Sequence, residues 1–244
     1  ITLATTIRID FVIGGEIDPT FVFNKVNTGN WHSASTWLQY RTGVAVFTEG
    51  QTTVTGTSTL FTSELVVGDR INSVSNPTDP VMIVASIGSN TSLTLTAPYS
   101  GPYNGGVAPN RTFTGNIGRE YVPNTPVSPT ESVFIGNPNM VDAITTITLD
   151  NNATILELSI GSAKAQAHTL VHSGTFALNV QANAVVEQPT GNTNHTWDIL
   201  DGTATVGGNL SLGGFTNNSA RIARVRIQNG VLNSNNVVFR TPGA

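Results

Sequence analysis

Apolar and polar positions alternate with a period of two through most of this chain. Residues 1–13 do so almost without fault: Ile1, Leu3, Ile7, Ile9, Phe11 and Ile13 share one face, while Thr2, Thr6, Arg8 and Asp10 share the other. Period two over this length predicts one long, half-buried strand, which Gly14-Gly15 ends. Thirteen extended residues would span about 43 Å, roughly twice an ordinary strand. Its apolar face needs a cover and its backbone needs hydrogen-bond partners. Folded back, it would be an edge strand or lid of its own domain. Docked into a second copy, it would add a strand there and link copies head to tail. The six apolar residues are therefore candidate subunit contacts.

Residues 24–42 are irregular. From Gly43 to Gly101 short apolar runs are punctuated by turn residues: Val44-Ala45-Val46-Phe47, Thr52-Thr53-Val54-Thr55, Leu65-Val66-Val67, Val81-Met82-Ile83-Val84 and Ser92-Leu93-Thr94-Leu95. That spacing predicts a small barrel or sandwich. Residues 101–131 are rich in Pro, Gly and Asn and read as a linker or covering loop. From about residue 132 an imperfect repeat sets in. Strand-like runs end in turn pairs at Asp150-Asn151, Ser173-Gly174, Asp201-Gly202 and Asn229-Gly230, which lie 23, 28 and 28 residues apart. One unit per twenty-odd residues, too small to bury its own core, is the pattern of a stacked solenoid. With strand rather than helix periodicity, that solenoid is a parallel β-helix; a sandwich with long hairpins is the alternative.

The expected architecture is all-β: a parallel β-helix-like repeat region plus a small β-barrel or sandwich module. Its parts are an N-terminal strand segment (1–23), a repeat domain (24–42 with 102–244) and an inserted module (43–101).

Composition narrows the function. Charged residues make up only 11% of the chain, and 35 Thr, 25 Asn and 24 Gly take their place. An ordinary soluble domain carries about 25% charge, so this surface is built from hydroxyls and amides. A net charge of −4 argues against a general nucleic-acid binder. No run approaches the roughly 18 apolar residues of a membrane helix, so membrane insertion is not expected. The absence of cysteine excludes a thiol nucleophile, a disulfide framework and thiolate metal sites.

Gly29-Asn30-Trp31 followed by Ser35-Thr36-Trp37 resembles the G-N-W…T-W opening of secreted, Bacteroidota-type bacterial surface β-repeat proteins. The likeness continues through Val127-Ser128-Pro129 and Val133-Phe134-Ile135 into Ile147-Thr148-Leu149-Asp150-Asn151-Asn152-Ala153-Thr154-Ile155. The block at 43–101 departs from that family. It resembles small β modules of phage tail and fibre proteins and of large bacterial surface proteins, through Val54-Thr55-Gly56-Thr57, Val67-Gly68-Asp69-Arg70-Ile71 and Thr91-Ser92-Leu93-Thr94-Leu95. These motifs are turn and core positions. The resemblance implies a fold and a place at a cell or virion surface, and carries no catalytic residue.

Candidate chemistry is sparse. A polygalacturonase-like set needs paired acids across the scissile bond; Asn192-Thr193-Asn194 and Arg226-Ile227-Gln228 lack the acid and the lysine. Asp198 and Asp201 are the closest carboxylate pair of the repeat region, with Asp201 placed for a turn before Gly202. His32, His168, His172 and His195 show no ligand spacing with a carboxylate, so no metal or cofactor is expected. Trp31, Trp37 and Trp197 could stack on sugars but fit a core better. Arg221, Arg224 and Arg226 are candidate contacts for an acidic glycan or a partner subunit, since alternation points Arg224 and Arg226 outward. The expectation is a non-catalytic extracellular structural protein that self-associates into a homopolymer. The alternative is a phage tail or fibre component recognising a surface polysaccharide.

Overall fold

The computed structural model describes residues 21–74, 79–101, 111–124, 130–136, 143–161, 164–213 and 220–240. The strand expected over 1–13, with its candidate contacts Ile1, Leu3, Ile7, Ile9, Phe11 and Ile13, lies outside them. The chain is 56% strand and 4% helix and winds a β-helix of about four turns. The all-β, β-helix expectation therefore holds.

The β-helix has three faces. The first stacks Phe21–Asn24, Ser132–Ile135, Glu157–Ile160 and Ala184–Val186, then the second halves of Thr203–Gly213 and Val231–Arg240. The second stacks Thr28–Asn30, Thr145–Leu149, His168–His172, Asn194–Ile199 and Ile222–Ile227. The third stacks Ala153–Ile155 on Ala177–Val180 and the first halves of the two long strands. All these pairs are parallel, so each coil sits about 4.8 Å above the last. Alternation sends every second side chain inward, and register places like on like. Ile147, Leu170, Trp197 and Val225 form one column, and Leu158, Ala184 and Leu210 another. The columns merge into one apolar core.

The turn pairs read from the sequence are the corners between the second and third faces. Gly202 shows why they recur: its φ is +76°, and a Cβ there would stand 2.2 Å from the Phe176 carbonyl oxygen. The corners between the third and first faces use asparagine. Asn183 Oδ1 accepts from Asn209 N–H at 2.9 Å, and Asn209 Oδ1 from Asn236 Nδ2 at 3.1 Å. The first bond satisfies a backbone N–H that the bend has taken out of the ladder, and the second joins the side chains of successive corners.

Between Asn30 and Ser132 the chain leaves the β-helix and builds the module. Its antiparallel sheet runs Thr112–Gly115, Val44–Thr48, Thr53–Thr57, Ser92–Leu95, Met82–Ser89 and Arg70–Ser73. Phe47, Phe61, Ile71, Leu93 and Tyr99 fill its core. Two expectations are corrected here. Residues 65–67 are not a strand: Val66 and Val67 are exposed, because Asp69 Oδ2 accepts Val66 N–H at 2.8 Å and Gly68 has φ +93°. That local turn outcompetes strand pairing, and the strand forms one step later at Arg70–Ser73. Nor is 101–131 only a linker or covering loop. It supplies Thr112–Gly115 to the module and Ile117–Glu120 to the junction, where long-range pairing overrides the loop-like composition.

The junction is a continuous sheet. Phe21–Asn24 pairs in parallel with the β-helix on one side and antiparallel with Trp37–Tyr40 on the other; Ile117–Glu120 then links Trp37–Tyr40 to Arg70–Ser73. An ion cluster around the buried carboxylate of Glu120 locks it. Lys25 Nζ donates to Glu120 Oε1 at 2.7 Å and to Asn72 Oδ1 at 2.9 Å, and Arg70 Nε donates to Glu120 Oε2 at 2.6 Å. On the way back, residues 121–124 close the third side of the first coil: Asn124 Oδ1 accepts from Thr154 N–H, and the Pro123 carbonyl from Trp31 Nε1.

Candidate functional site

The sequence-derived candidates separate into core and surface. Trp31, Trp37 and Trp197 are fully buried. Trp31 and Trp37 pack edge to face with centroids 4.9 Å apart, and Trp37 Nε1 donates to the Trp31 carbonyl at 2.7 Å. None of the three presents a face to a sugar. His168, His172 and His195 are equally interior, on the second face. His172 Nε2 accepts the Trp197 indole N–H at 2.9 Å, and burial pushes its pKa down to about 4. His195 sets Nδ1 against the Glu187 carbonyl at 2.8 Å and Nε2 against the Gln166 carbonyl at 3.0 Å. These rings serve as core pieces. His32 lies at a corner, with Nδ1 3.0 Å from Asp150 Oδ1. Among the described residues, no three His, Asp or Glu side chains converge as metal ligands.

The coil spanning 222–240 is the surface with most to offer a partner. Its strands Ile222–Ile227 and Val231–Arg240 pair with the preceding coil, and no described strand pairs with their outer edges. The inward columns therefore come to light here. Phe239, which continues the column of Leu212, is 76% exposed, and Ile227 and Val237, which continue those of Ile199 and Leu210, are about half exposed. An apolar row beside a free row of N–H and C=O groups can accept another strand.

The arginine candidates border this coil. Arg226 forks onto Asp198 of the preceding coil, Nε to Oδ1 at 2.9 Å and Nη2 to Oδ2, and this bonding raises its pKa. Arg224 Nε donates to Thr196 Oγ1 at 3.0 Å. Arg221 lies at the head of the strand, its carbonyl taking the Gln188 Nε2–H at 2.9 Å. Arg224 and Arg226 thus share one face, as alternation predicts, and both are tied to side chains of the coil below. Asp198 serves that tie, and Asp201 stands at its corner beside Gly202. Sequence reasoning missed the Trp197–His172 pair. Its one signal is the 25-residue spacing, close to the length of a coil.

No protein-family model matches the chain, and no curated protein or solved structure matches it.

Proposed function

We propose that this chain is a non-catalytic structural module of an extracellular surface, assembling into a homopolymer by strand donation. Residues 1–13 of one copy lie along the open coil of the next. The open coil carries this reading. Its exposed Val237 and Phe239 need an apolar cover, and its strand edges need main-chain partners. A thirteen-residue segment with one continuous apolar face is long enough to run the length of the ten-residue strand Val231–Arg240. Main-chain bonds would supply affinity, and the alternate side chains register. A hydroxyl- and amide-rich surface with few charges suits an exposed scaffold, as does the resemblance of the Gly29-Asn30-Trp31 opening to secreted surface repeats.

Deletion of residues 1–13 tests the reading. The truncated chain is expected to keep its β circular dichroism and to sediment as a monomer, while the full chain forms polymers visible by negative stain. A synthetic 1–13 peptide added to the full chain should shorten those polymers, and Phe239→Asp should weaken them. Normal polymerisation of the truncated chain overturns the proposal.

A further inference from the structure

The sheet that joins module to β-helix carries two arginines whose donors outnumber their acceptors. Gln39 pairs in register with Val22 on one side and with Arg119 on the other, and Arg119 pairs with Ile71. Register partners share a face. Val22 belongs to the β-helix core and Ile71 to the module core, so Gln39 and Arg119 lie on one sheet face between the two cores. Arg41, next to the end of Trp37–Tyr40, turns its guanidinium toward Gln39 on the same face. Its Nη2 and the Nη2 of Arg119 both donate to Gln39 Oε1, the latter at 3.1 Å.

That one amide oxygen is the meeting point of two cations. Each guanidinium has five N–H donors. Arg41 is only 6% exposed, and the Nε atoms of both arginines are buried with no acceptor among the described residues. The nearby carboxylates compensate the pair only in part, through the charges of Glu64 and Asp69 on Arg41 and the ion pair of Asp69 with Arg119, and both also serve other donors. Glu64 spends Oε2 on Thr42 N–H at 2.9 Å and Oε1 on Thr42 Oγ1 at 2.5 Å. Asp69 Oδ2 accepts Val66 N–H and lies 3.6 Å from Arg119 Nη1. Loss of solvation, and secondly the charge of Arg119, push the Arg41 pKa down to about 10. The more exposed of the two arginines is Arg119. That side chain is 24% open to solvent, and its Cζ lies 5.5 Å from the centre of the Tyr121 ring.

A buried donor left without an acceptor is costly, and buried polar groups in native proteins are almost always satisfied. Planar guanidinium forks match carboxylate and sulfate oxygens two at a time. We propose that Arg41 and Arg119 are the jaws of an oxyanion site that takes a carboxylate or sulfate group of an acidic ligand, with Gln39 holding the jaws in place. This site is separate from the open coil and does not rest on the assembly reading.

The test is titration of the intact chain with sodium glucuronate and, separately, with sodium sulfate, at ionic strength held constant with chloride. The readout is the Nε–Hε NMR signals of Arg41 and Arg119, assigned by their loss in Arg41→Lys and Arg119→Lys. A saturable shift of both signals is expected. Response to glucuronate alone identifies a carboxylate site, to sulfate alone a sulfate site, and to both a general oxyanion site. Each of these supports the proposal. Arg119→Gln, at the more exposed jaw, should weaken binding by about tenfold or more, the loss of one charge-assisted contact. Arg119→Lys, which keeps the charge and loses the fork, serves if the glutamine variant fails to fold. Signals that move with neither anion overturn the proposal, as does undiminished binding in the Arg119 variants.

Discussion

The indole N–H of Trp197 donates to Nε2 of His172 at 2.9 Å inside the β-helix, where both side chains are fully buried. Since Nε2 accepts, the neutral ring carries its proton on Nδ1. A second proton could enter only at Nε2, breaking this bond and placing a charge in an apolar core. Burial accordingly lowers the His172 pKa from 6.5 to about 4.

Acid should therefore unfold the chain earlier than its carboxylates alone require. Between pH 6.5 and 4 the unfolded state binds the His172 proton and the folded state does not. Stability is complete above pH 6.5, falls as pH drops, and levels off below about 4. The shift corresponds to about 3 kcal/mol. Urea unfolding at pH 7.5, 6, 5 and 4 measures it. His172→Leu should flatten the slope in that window even though its stability at pH 7.5 is lower.

Gly161 has φ +90°, and a Cβ there would stand 1.8 Å from Nδ1 of His195, one coil on. Gly136 meets His168 in the same way at 2.9 Å. Gly161→Ala should cost about 3 kcal/mol or more, combining the left-handed backbone with the clash. His195→Ala in the same chain should return the part due to the clash, read as a positive coupling in a double-mutant cycle. Gly50→Ala is the control. It has a similar φ of +79° with nothing within 4 Å, and should cost about 1 kcal/mol.

Glu120 links the two parts of the molecule. Burial pushes its carboxyl up, but the hydrogen bonds and charges of Lys25 and Arg70 outweigh this and hold it below the usual carboxylate range. Its contribution is present above the unfolded carboxylate value and disappears as pH falls through the lowered one. Glu120→Gln should destabilise by about 3 kcal/mol at pH 7, because it leaves the Lys25 ammonium buried beside a neutral amide. The difference from the parent chain should shrink toward pH 3 in chemical unfolding curves.

In the module, Arg111 grips the fully buried Glu49 with two bonds of 2.9 Å, Nε to Oε2 and Nη2 to Oε1. Arg111→Ala should cost about 2 kcal/mol, less than for a wholly buried pair because water already reaches the arginine. Thermal unfolding of the variant, compared with Arg70→Ala at the junction, shows whether module and β-helix melt together.

Much of the β-helix is legible in the sequence because its signals are local. A turn pair at Asp150-Asn151 or Asp201-Gly202 marks a corner wherever it stands, and alternation such as Ala223, Val225 and Ile227 against Arg224 and Arg226 separates inside from outside. The same local rules misread Leu65-Val66-Val67, where a strand-like run gives way to the Asp69 turn. They also miss Thr112–Gly115 and Ile117–Glu120, whose composition resembles a loop.

The chain's period, its corners, its β class and its lack of thiol chemistry follow from the sequence alone, since each depends on residue types a few positions apart. The tertiary structure decided which polar residues lie inside. His168, His172 and His195 read as a sparse set of imidazoles until the coil register stacks them in one interior. Arg41 and Arg119 are 78 residues apart and come onto one Gln39 oxygen only when two strands pair antiparallel. Lys25 finds Glu120 across 95 residues by the same folding of the sheet. Burial and electrostatic pairing are properties of the closed fold. They depend on distances between chain segments that no local pattern of side chains encodes.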